Sequence, residues 1–408
     1  MTSQFPSLTS NDNRLIETAA ASQSAAMVDF AQRLIRTESP SGQEEAAATL
    51  VKRELERIGV DDTWIDGAGN VVAVVRGASG GRSMHFNTHL DHVSAGDLSL
   101  WRDPPFDAVM RDDVIYGRGA SDVKGAMAAQ VHGIAVIREL GWVPPGDVYF
   151  AGVVLEEVGG FGSEFFAKQI PTEIAVIGEA TGNKLRIGHR GRVYVQVSFI
   201  GVSAHASAPE RAVNPHFGAA RFLERFSAIP RASSELFGES STSPTQMGTD
   251  QVSGNVTPGR IDLFIDWRNV PGEEPEAIRN AVASEARKVE ADFPGLTTEV
   301  SIETRAVRTY TGLDAVMPST RGFATSTDSA VVQTAVLALG QLFGRSIDVG
   351  TWTFATDGGH LAAAGIECIG FAPGSETHAH TIHDQISISH MIDALAGNVT
   401  LAMTLGAT

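Results

Sequence analysis

The stretch DVYFAGVVLEE, residues 147–157, is a short apolar run that ends in two adjacent glutamates. A run of this length and composition predicts a strand buried inside a sheet. Similar runs end in polar residues in RSMHFNTHL (82–90) and EIAVIGEAT (173–181). Helical periodicity follows in several places, most clearly from Lys124 to Leu140. Strands that alternate with helices predict an α/β domain with a central mixed, largely parallel sheet flanked by helices.

The pattern changes near residue 190. GRVYVQVSFIGVSAHAS (191–207) and GRIDLFIDWRNV (259–270) alternate apolar and polar residues with the period of two that is typical of half-exposed antiparallel strands. Together with two helical segments, they predict an inserted α+β module of ferredoxin-like order, β-α-β-β-α-β. The polar stretch ASSELFGESSTSPTQMG (232–248) is interpreted as a loop. The predicted domains are 1–190 joined to 310–408, and 191–309.

The composition is that of an acidic globular protein, with 48 Asp and Glu against 31 Lys and Arg and a net charge of −17. This charge disfavours nucleic acid or an anionic membrane surface as a partner. The chain has no run of 18 apolar residues, and its start lacks the basic and apolar regions of a signal peptide. The single cysteine, Cys368, fits a reducing compartment and is expected to be a buried structural thiol. We therefore expect a cytoplasmic protein. The first 20 residues are polar, and we expect them to be loosely ordered.

Residues that can hold a metal ion or move a proton follow the predicted strands. They are His89 and Asp91 in THLDH, Asp122 in YGRGASDVKG, Glu156 and Glu157 in LEEVGG, Glu179 in GEAT, and the histidines of SETHAHTIHDQ. Because open α/β sheets place their sites at strand ends, we expect these residues to lie together. Imidazole and carboxylate ligands without cysteine suit Zn²⁺ or a similar divalent ion. A carboxylate among them could bridge two ions about 3.5–4 Å apart.

Each segment taken alone also has a structural interpretation. Asp122 could cap the helix that follows it, and GEAT could be an ordinary turn. Glu156 and Glu157 could be a solvated pair. Since successive side chains on a strand point to opposite faces, both glutamates reach one site only if the backbone turns at the strand end.

The loop SETHAHTIHDQ, residues 375–385, holds three of the 12 histidines of the chain, namely His378, His380 and His383. Spacing does not distinguish between them as metal ligands. His378 and His380 would share one face of a strand and could even chelate as a pair.

Other motifs are weaker. GASGG (77–81) matches the G-x-S-x-G pattern of a nucleophile elbow, but it lies between two predicted strands and is interpreted as a hairpin turn. GRGASD lacks the third glycine of a dinucleotide-binding loop, and the sequence contains neither a P-loop nor H-E-x-x-H.

The segments HLDHV, YGRGASDVKG, LEEVGG, GEAT and AHTIHD resemble the signature segments of the M20 metallopeptidase family, in that family's order, over residues 89–384. GVSAHASAPERAVNP and WTFATDGG are similar to its YgeY-like branch. The resemblance implies a dizinc-peptidase catalytic domain, with 191–309 as a lid and dimerisation domain of a homodimer. It implies two divalent ions, first of all Zn²⁺, with Co²⁺ or Mn²⁺ as options.

The same resemblance implies a role for each matching residue. Asp122 would bridge the ions, His89 and Glu179 would hold one ion, Glu157 and His380 would hold the other, Asp91 would orient the His89 ring through its carboxylate, and Glu156 would be the general base. His378 would then be a rim residue near the substrate. The sequence departs from the family at Ala180, where proline is common, at His383, where a small polar residue is expected, and at Asp384, where glutamate is usual.

Substrate contacts are implied for His205, Asn255 and Arg268 in the inserted domain and for Gly358 in the catalytic domain. His205 would help polarise the scissile carbonyl, from its own chain or from the partner subunit. Arg268 would pair with a substrate carboxylate. The alternatives are a surface histidine at 205 and a strand salt bridge at 268.

The expected function is metal-dependent hydrolysis of the amide bond in a small carboxylate-bearing substrate, either an N-acyl amino acid or a dipeptide. Glu156 would take a proton from the attacking water and return it to the leaving amine. An N-carbamoyl or ureido-type amidohydrolase is an alternative on the same scaffold. A non-catalytic relative that binds metal or ligand is an alternative of another class.

Overall fold

The computed structural model describes residues 8–317 and 319–407. The chain divides into two compact units. Unit 1 comprises Met1–Gly188, Ala306–Val316 and Ala324–Thr408, and unit 2 comprises His189–Arg305 and Met317–Phe323. Among the described residues, no helix is both long enough and apolar enough to cross a membrane.

Within these described ranges the α-helices are, in chain order, α1 (Ser10–Arg36), α2 (Glu45–Ile58), α3 (Gly125–Glu139), α4 (Phe161–Gln169), α5 (Pro215–Arg225), α6 (Pro275–Asp292), α7 (Ala330–Phe343), α8 (Gly358–Ala363) and α9 (Ile388–Thr404). The strands are β1 (Asp62–Ile65), β2 (Val71–Val75), β3 (Met84–His89), β4 (Val109–Arg111), β5 (Val114–Tyr116), β6 (Val148–Val153), β7 (Ile174–Ile177), β8 (Leu185–Arg186), β9 (Gly188–His189), β10 (Val193–Ile200), β11 (Ala204–His205), β12 (Ser233–Ser234), β13 (Gly238–Glu239), β14 (Ser241–Thr249), β15 (Val256–Thr257), β16 (Arg260–Arg268), β17 (Thr297–Ile302), β18 (Arg305–Arg308), β19 (Asp314–Met317), β20 (Phe323–Ala324), β21 (Val349–Gly350), β22 (Glu367–Gly370) and β23 (Gln385–Ser387).

The core of unit 1 is a sheet in the order β1-β2-β6-β3-β7-β22-β8-β21. Its central strands β6, β3, β7 and β22 run parallel to one another, whereas the pairs β1–β2, β2–β6 and β22–β8 are antiparallel. All residues of β2 and β3 are buried, as expected for strands covered on both faces, although only β2 is wholly apolar. The prediction of a mixed, largely parallel sheet in an α/β fold is therefore confirmed.

The interpretation of GASGG (77–81) as a hairpin turn is wrong. The strands that it joins, β2 and β3, do not pair with each other but lie on either side of β6. The loop therefore crosses the end of β6 and runs close to the backbone at 145–146. A Cβ at Gly77 or Gly81 would approach the carbonyl oxygens of Gly146 and Pro145 to 2.1 and 2.2 Å, so both positions require glycine.

The helices of unit 1 include α3, which is buried from Gly125 to Ile137 and packs against α1 and α9. The expectation that the first 20 residues are loosely ordered is wrong from Ser10 onward, because α1 begins there. Thr9 and Asp12 form a reciprocal capping box, and buried apolar residues such as Ile16 fasten the first turns. Residues 1–7 lie outside the described residues. Cys368 is a buried free thiol, as expected.

Unit 2 contains a four-stranded antiparallel sheet in the order β14-β16-β10-β17. Every second residue of β16 is buried, which agrees with the predicted period of two. The buried side chains of β10 and β16, including Trp267, pack with those of α5 and α6 in one apolar core. With two helices and four strands in the order β-α-β-β-α-β, this unit has the ferredoxin-like arrangement.

The serine-rich stretch 232–248 is not a loop, as the sequence had suggested. It contains β12 and β13 and runs into β14, which pairs with β16 from Ser241 to Thr249. Most residues of β14 are exposed because it is an edge strand. Main-chain hydrogen bonds to one neighbour hold such a strand, so its side chains need not be apolar.

Candidate metal centre and active site

Three neighbouring parallel strands bring the predicted residues to one edge of the unit 1 sheet. His89 ends β3, Glu156 follows β6 on one side of it, and Glu179 follows β7 on the other. The next strand, β22, leads into the loop that carries His380, and Asp122 lies in the turn before α3. Parallel strands present their carboxyl ends at one edge, which explains why residues so far apart in sequence converge.

Asp122 lies between two imidazole rings. Its Oδ1 is 2.9 Å from Nε2 of His89, and its Oδ2 is 3.0 Å from Nε2 of His380. The same His89 nitrogen is 3.5 Å from Oε1 of Glu179, and the same His380 nitrogen is 3.1 Å from Oε2 of Glu157. The two oxygens of one carboxylate therefore face two separate imidazole–carboxylate pairs, which is the arrangement that a carboxylate bridging two ions requires.

The backbone turns where the two adjacent glutamates leave β6. Leu155 has a left-handed conformation, with φ 60° and ψ 30°, and residues 156–158 form a short helical turn. Ligand atoms of His89, Glu156 and Glu179 all lie within 4.8 Å of one another, as do those of His89, Asp122 and Glu157. An extended strand would have sent the two glutamates to opposite faces, and the turn brings both into the cluster.

Asp91 contacts its neighbours differently from the expectation. The ring of His89 donates from Nδ1 to the main-chain carbonyl of Asp91 at 2.9 Å, while the nearest carboxylate oxygen of Asp91 is 3.6 Å away. That carboxylate instead accepts hydrogen bonds from the backbone amides of Glu156 and Glu157, both at 3.2 Å, and from the hydroxyl of Ser41 at 2.7 Å. Asp91 therefore orients the imidazole through its backbone and holds the glutamate turn through its side chain.

The carboxyl groups of the cluster repel one another. Burial raises the pKa of Glu156 well above its usual value, and the charges of Glu179 and Asp357 raise it further. Burial also raises the pKa of Glu179, and the charge of Asp122 adds to this effect. The cluster therefore lacks the positive charge that would keep its carboxylates ionised.

The histidines supply part of that charge. Burial alone would lower the pKa of His89, but its hydrogen bond with Asp122 and the charge of Glu179 raise the pKa well above the usual value. Hydrogen bonds to Asp122 and Glu157 raise the pKa of His380 to about 10. Burial would raise the pKa of Asp122, but the hydrogen bonds from His380 and His89 hold it far below its usual range.

This donor set fits divalent metal ions. Carboxylate oxygens and imidazole nitrogens without thiolate suit Zn²⁺, Co²⁺ or Mn²⁺. Because Nδ1 of His89 donates to the Asp91 carbonyl, Nε2 is the nitrogen that faces the cluster, as in other metal sites where a hydrogen bond fixes the ring. A bound cation would also offset the carboxylate repulsion that raises the pKa of Glu156 and Glu179.

Within the histidine-rich loop, the structure brings only His380 of its three histidines to Asp122 and Glu157. His383 is exposed. His378 lies in the wall of a cavity of about 520 Å³, and its Nε2 is 3.2 Å from the side-chain amide nitrogen of Gln385.

The substrate-binding residues predicted for the inserted domain belong to unit 2. His205 is exposed in β11, next to Asn255, whose carbonyl accepts the backbone amide of Ala206 at 2.8 Å. Arg268 ends β16 and donates two hydrogen bonds to Asp266, at 2.7 and 3.3 Å. Arg268 therefore forms a salt bridge within its strand, the alternative to substrate binding that was expected from the sequence. Gly358 of unit 1 is buried in the first turn of α8.

Several residues near the cluster were not predicted. Asp357 is buried and accepts a hydrogen bond from Ser163 at 2.6 Å, and burial raises its pKa to about 7. The sequence could have indicated Asp357, because it directly precedes the predicted substrate contact Gly358 in ATDGG. Asp384, noted only as a family departure, is buried and accepts the backbone amides of Gly119 and Ser121 at 2.7 and 2.9 Å, so it holds the turn that carries Asp122.

Glu44 was also missed. It is fully buried and accepts the backbone amide of Leu155 at 3.2 Å. The sequence offered no signal for this contact, because an acidic residue at the start of a helix is explained by the helix dipole.

The fold and the carboxylate–imidazole cluster define a metal-dependent hydrolase of the peptidase and amidohydrolase class. The model of peptidase family M20/M25/M40 matches residues 85–403, and the chain belongs to this family. The family predicted from the signature segments is thereby confirmed.

Similar proteins cover most of the chain. The uncharacterized protein YgeY of Escherichia coli (strain K12) is 28% identical over 404 residues, which cover 97% of this chain and 98% of that protein. Succinyl-diaminopimelate desuccinylase of Paracoccus denitrificans is 28% identical over 322 residues, covering 71% and 84%. Among solved structures, aminopeptidase PepT of Bacillus cereus has a TM-score of 0.76 at 18% identity, covering 93% and 98%. YXEP of Bacillus subtilis, a dinuclear metal binding peptidase, has a TM-score of 0.71 at 13% identity, covering 94% and 98%.

The raised pKa values predict that metal binding releases protons. In the metal-free chain, hydrogen bonds to Asp122 and Glu157 raise the pKa of His380 to about 10, so near neutral pH its ring holds a proton that an ion must displace. The apparent affinity for Zn²⁺ should therefore increase from about pH 6 to about pH 8. Isothermal titration calorimetry in two buffers of different ionisation enthalpy measures the protons released. His380→Ala should release fewer protons, and an affinity that does not change with pH would contradict the prediction.

Proposed function

We propose that this protein hydrolyses the amide bond of a small carboxylate-bearing substrate, an N-acyl amino acid or a dipeptide, with two divalent ions and Glu156 as general base. The observation that carries the proposal is Asp122, whose two oxygens face His89 and His380 separately. Glu156 lies beside this pair, within 4.8 Å of His89 and Glu179 through its ligand atom.

The proposed ligand sets follow the contacts in the cluster. His89 and Glu179 would hold one ion, His380 and Glu157 would hold the other, and Asp122 would contribute an oxygen to each. Two bound ions, Zn²⁺ in the first instance, supply Lewis acidity that makes a water more acidic and polarises a carbonyl group.

Glu156 is proposed to move the proton. With bound ions offsetting the charges of Glu179 and Asp357, the Glu156 carboxylate accepts a proton from the attacking water, and its burial favours keeping that proton until the amine leaves. Its backbone is held by Asp91, which keeps the carboxyl group near the reacting atoms. Glu156 then returns the proton to the leaving nitrogen.

His205 is proposed to donate a hydrogen bond to the scissile carbonyl. The backbone amide of Ser207, which can only donate, points to Nδ1 of His205 at 3.1 Å. In the neutral ring the proton is therefore on Nε2, where it can be donated to an oxygen. Asn255 and Gly358 are proposed as further substrate contacts. Arg268 donates from Nε and Nη2 to Asp266, and its remaining N–H donors are proposed to take a substrate carboxylate.

The substrate class is supported by the relatives. Succinyl-diaminopimelate desuccinylase, by its name, removes a succinyl group from diaminopimelate, a substrate of the N-acyl amino acid kind. A substrate with a free carboxylate fits the proposed use of Arg268. The proposed compartment is the cytoplasm, which the buried free thiol of Cys368 supports.

The proposal predicts that Glu156→Gln keeps its metals and loses turnover. Wild-type protein loaded with Zn²⁺, Co²⁺ or Mn²⁺ should hydrolyse at least one member of a panel of N-acetyl, N-succinyl and N-carbamoyl amino acids and dipeptides. The variant should bind two ions per chain but lose at least about 10³-fold in kcat, or ~4 kcal/mol of barrier, because the amide cannot accept a proton. Glu157→Gln is the matched control and should lose metal. Near-normal turnover in Glu156→Gln would disprove the role of Glu156 as general base. Hydrolysis of the N-carbamoyl substrates alone would favour the N-carbamoyl amidohydrolase alternative.

Alanine substitutions in the histidine-rich loop should separate the ligand from its neighbours. His380→Ala should lose one of two bound ions after dialysis, as measured by mass spectrometry of metals. Of the three histidines in this loop, only His380 has its ring in contact with Asp122 and Glu157. His378→Ala and His383→Ala should keep both ions. Loss of metal in either of these two variants, with retention in His380→Ala, would reverse the assignment.

We also propose a homodimer formed through unit 2. Its support is β14, an edge strand of nine residues whose free side can pair with a second copy. Light scattering at micromolar concentration should give the mass of two chains, and Gln246→Pro, in the middle of this strand, should shift it toward one. The mass of a single chain for the wild type would refute the dimer.

A further inference from the structure

Three consecutive backbone amides lead the chain from β6 into the cluster, and each donates to a buried carboxyl group. The amides of Glu156 and Glu157 donate to the two oxygens of Asp91, and the amide of Leu155 donates to Oε1 of Glu44, all at 3.2 Å. Glu44 therefore accepts the first of these three amides. It lies 111 residues before Leu155 in the sequence.

The surroundings of Glu44 are unusual for an acidic side chain. It is fully buried, and its Oε1 also accepts the nearby amide of Gly42 at 2.9 Å. Its other oxygen, Oε2, has no hydrogen-bond partner among the described residues. Burying a carboxyl group with an unpaired oxygen is costly, and an apolar residue of similar size would avoid that cost. Stability alone therefore does not explain the acid at this position.

The contact at Leu155 explains it. Leu155 has φ 60° and ψ 30°, a left-handed conformation that is unfavourable for a residue with a Cβ. This conformation ends the extended path of β6 and allows Glu156 and Glu157 to enter the same site. A backbone in such a conformation persists only where its surroundings hold it, and Glu44 holds the amide of this residue.

We propose that Glu44 is a positioning residue, whose Oε1 fixes the left-handed turn at Leu155 and thereby aims the carboxyl group of Glu156. The property that matters is a hydrogen-bond acceptor at the end of a side chain of this length. This inference rests on the proposed function, in which Glu156 moves the proton.

Three substitutions of Glu44 separate this role from simple burial. Glu44→Gln keeps the length and one carbonyl oxygen, so it should behave like the wild type. Glu44→Leu fills the site without an acceptor. Glu44→Asp keeps the carboxyl group but is shorter by one bond of ~1.5 Å, which should take its oxygen out of hydrogen-bond distance of the Leu155 amide.

The matched control is Glu54→Leu. Glu54 lies in α2, ten positions along from Glu44, and is also buried, but its partners are Arg33 and Arg57. This control measures the effect of losing a buried carboxylate from the same region without touching the glutamate turn.

The expected result is a change in kcat and not in KM. With metal content equalised and the best panel substrate, Glu44→Leu and Glu44→Asp should lose at least about tenfold in kcat, which is ~1.4 kcal/mol of barrier, with KM within roughly threefold. Glu44→Gln and Glu54→Leu should keep the wild-type kcat per folded molecule. In the metal-free chain, hydrogen exchange in the peptide covering 152–159 should be faster for Glu44→Leu and Glu44→Asp only. If Glu44→Leu does not fold, Glu44→Asp carries both measurements.

Two results would overturn the inference. One is a wild-type kcat in Glu44→Asp, and the other is a loss in Glu44→Gln as large as in Glu44→Asp. Failure of the proposed function looks different, because then Glu156→Gln itself would retain turnover. An inactive Glu156→Gln beside a fully active Glu44→Asp would remove only the role of Glu44.

Discussion

The constraint on which the site depends is the burial of several carboxyl groups around two imidazoles at one edge of the sheet. Asp122 occupies the centre because each of its oxygens meets a histidine, and the surrounding Glu156 and Glu179 are left with raised pKa values. Such a cluster is stable only if positive charge offsets it. Divalent ions provide more of that charge than protonated histidines can, which links the architecture of this edge to metal-dependent chemistry.

The loops that carry these ligands are held by a second set of buried carboxyl groups. Asp384 accepts the amides on either side of Ala120 and so holds the turn before Asp122. Glu44 accepts the amide of Leu155, and Asp91 accepts the amides of the glutamate pair that follows it. Hydrogen bonds from backbone amides to buried carboxyl groups position a loop where a regular strand or helix cannot continue. The ligand geometry is therefore set by backbone contacts as much as by the ligands.

Periodicity predicted the fold well where side chains are buried on one or two faces. The all-buried β2 and β3 and the alternating β16 follow directly from their residues. Prediction was wrong where main-chain pairing decides the structure. The polar residues of β14 carry no apolar signal because an edge strand is held by backbone hydrogen bonds. GASGG was misread because β6, some 70 residues later in the chain, inserts between the strands that this loop joins.

The sequence by itself determined the family, the two kinds of sheet and the set of residues that could bind metal, because signature segments and strand ends are local features. Spacing left the three histidines of residues 375–385 equivalent, and the family resemblance pointed to His380. The tertiary structure supplied the physical reason, because Asp122 and Glu157 lie beside His380. It also decided that Asp91 acts on a backbone turn and that Glu44 reaches Leu155. Both depend on contacts between segments distant in sequence, and such contacts leave no periodic pattern in either segment.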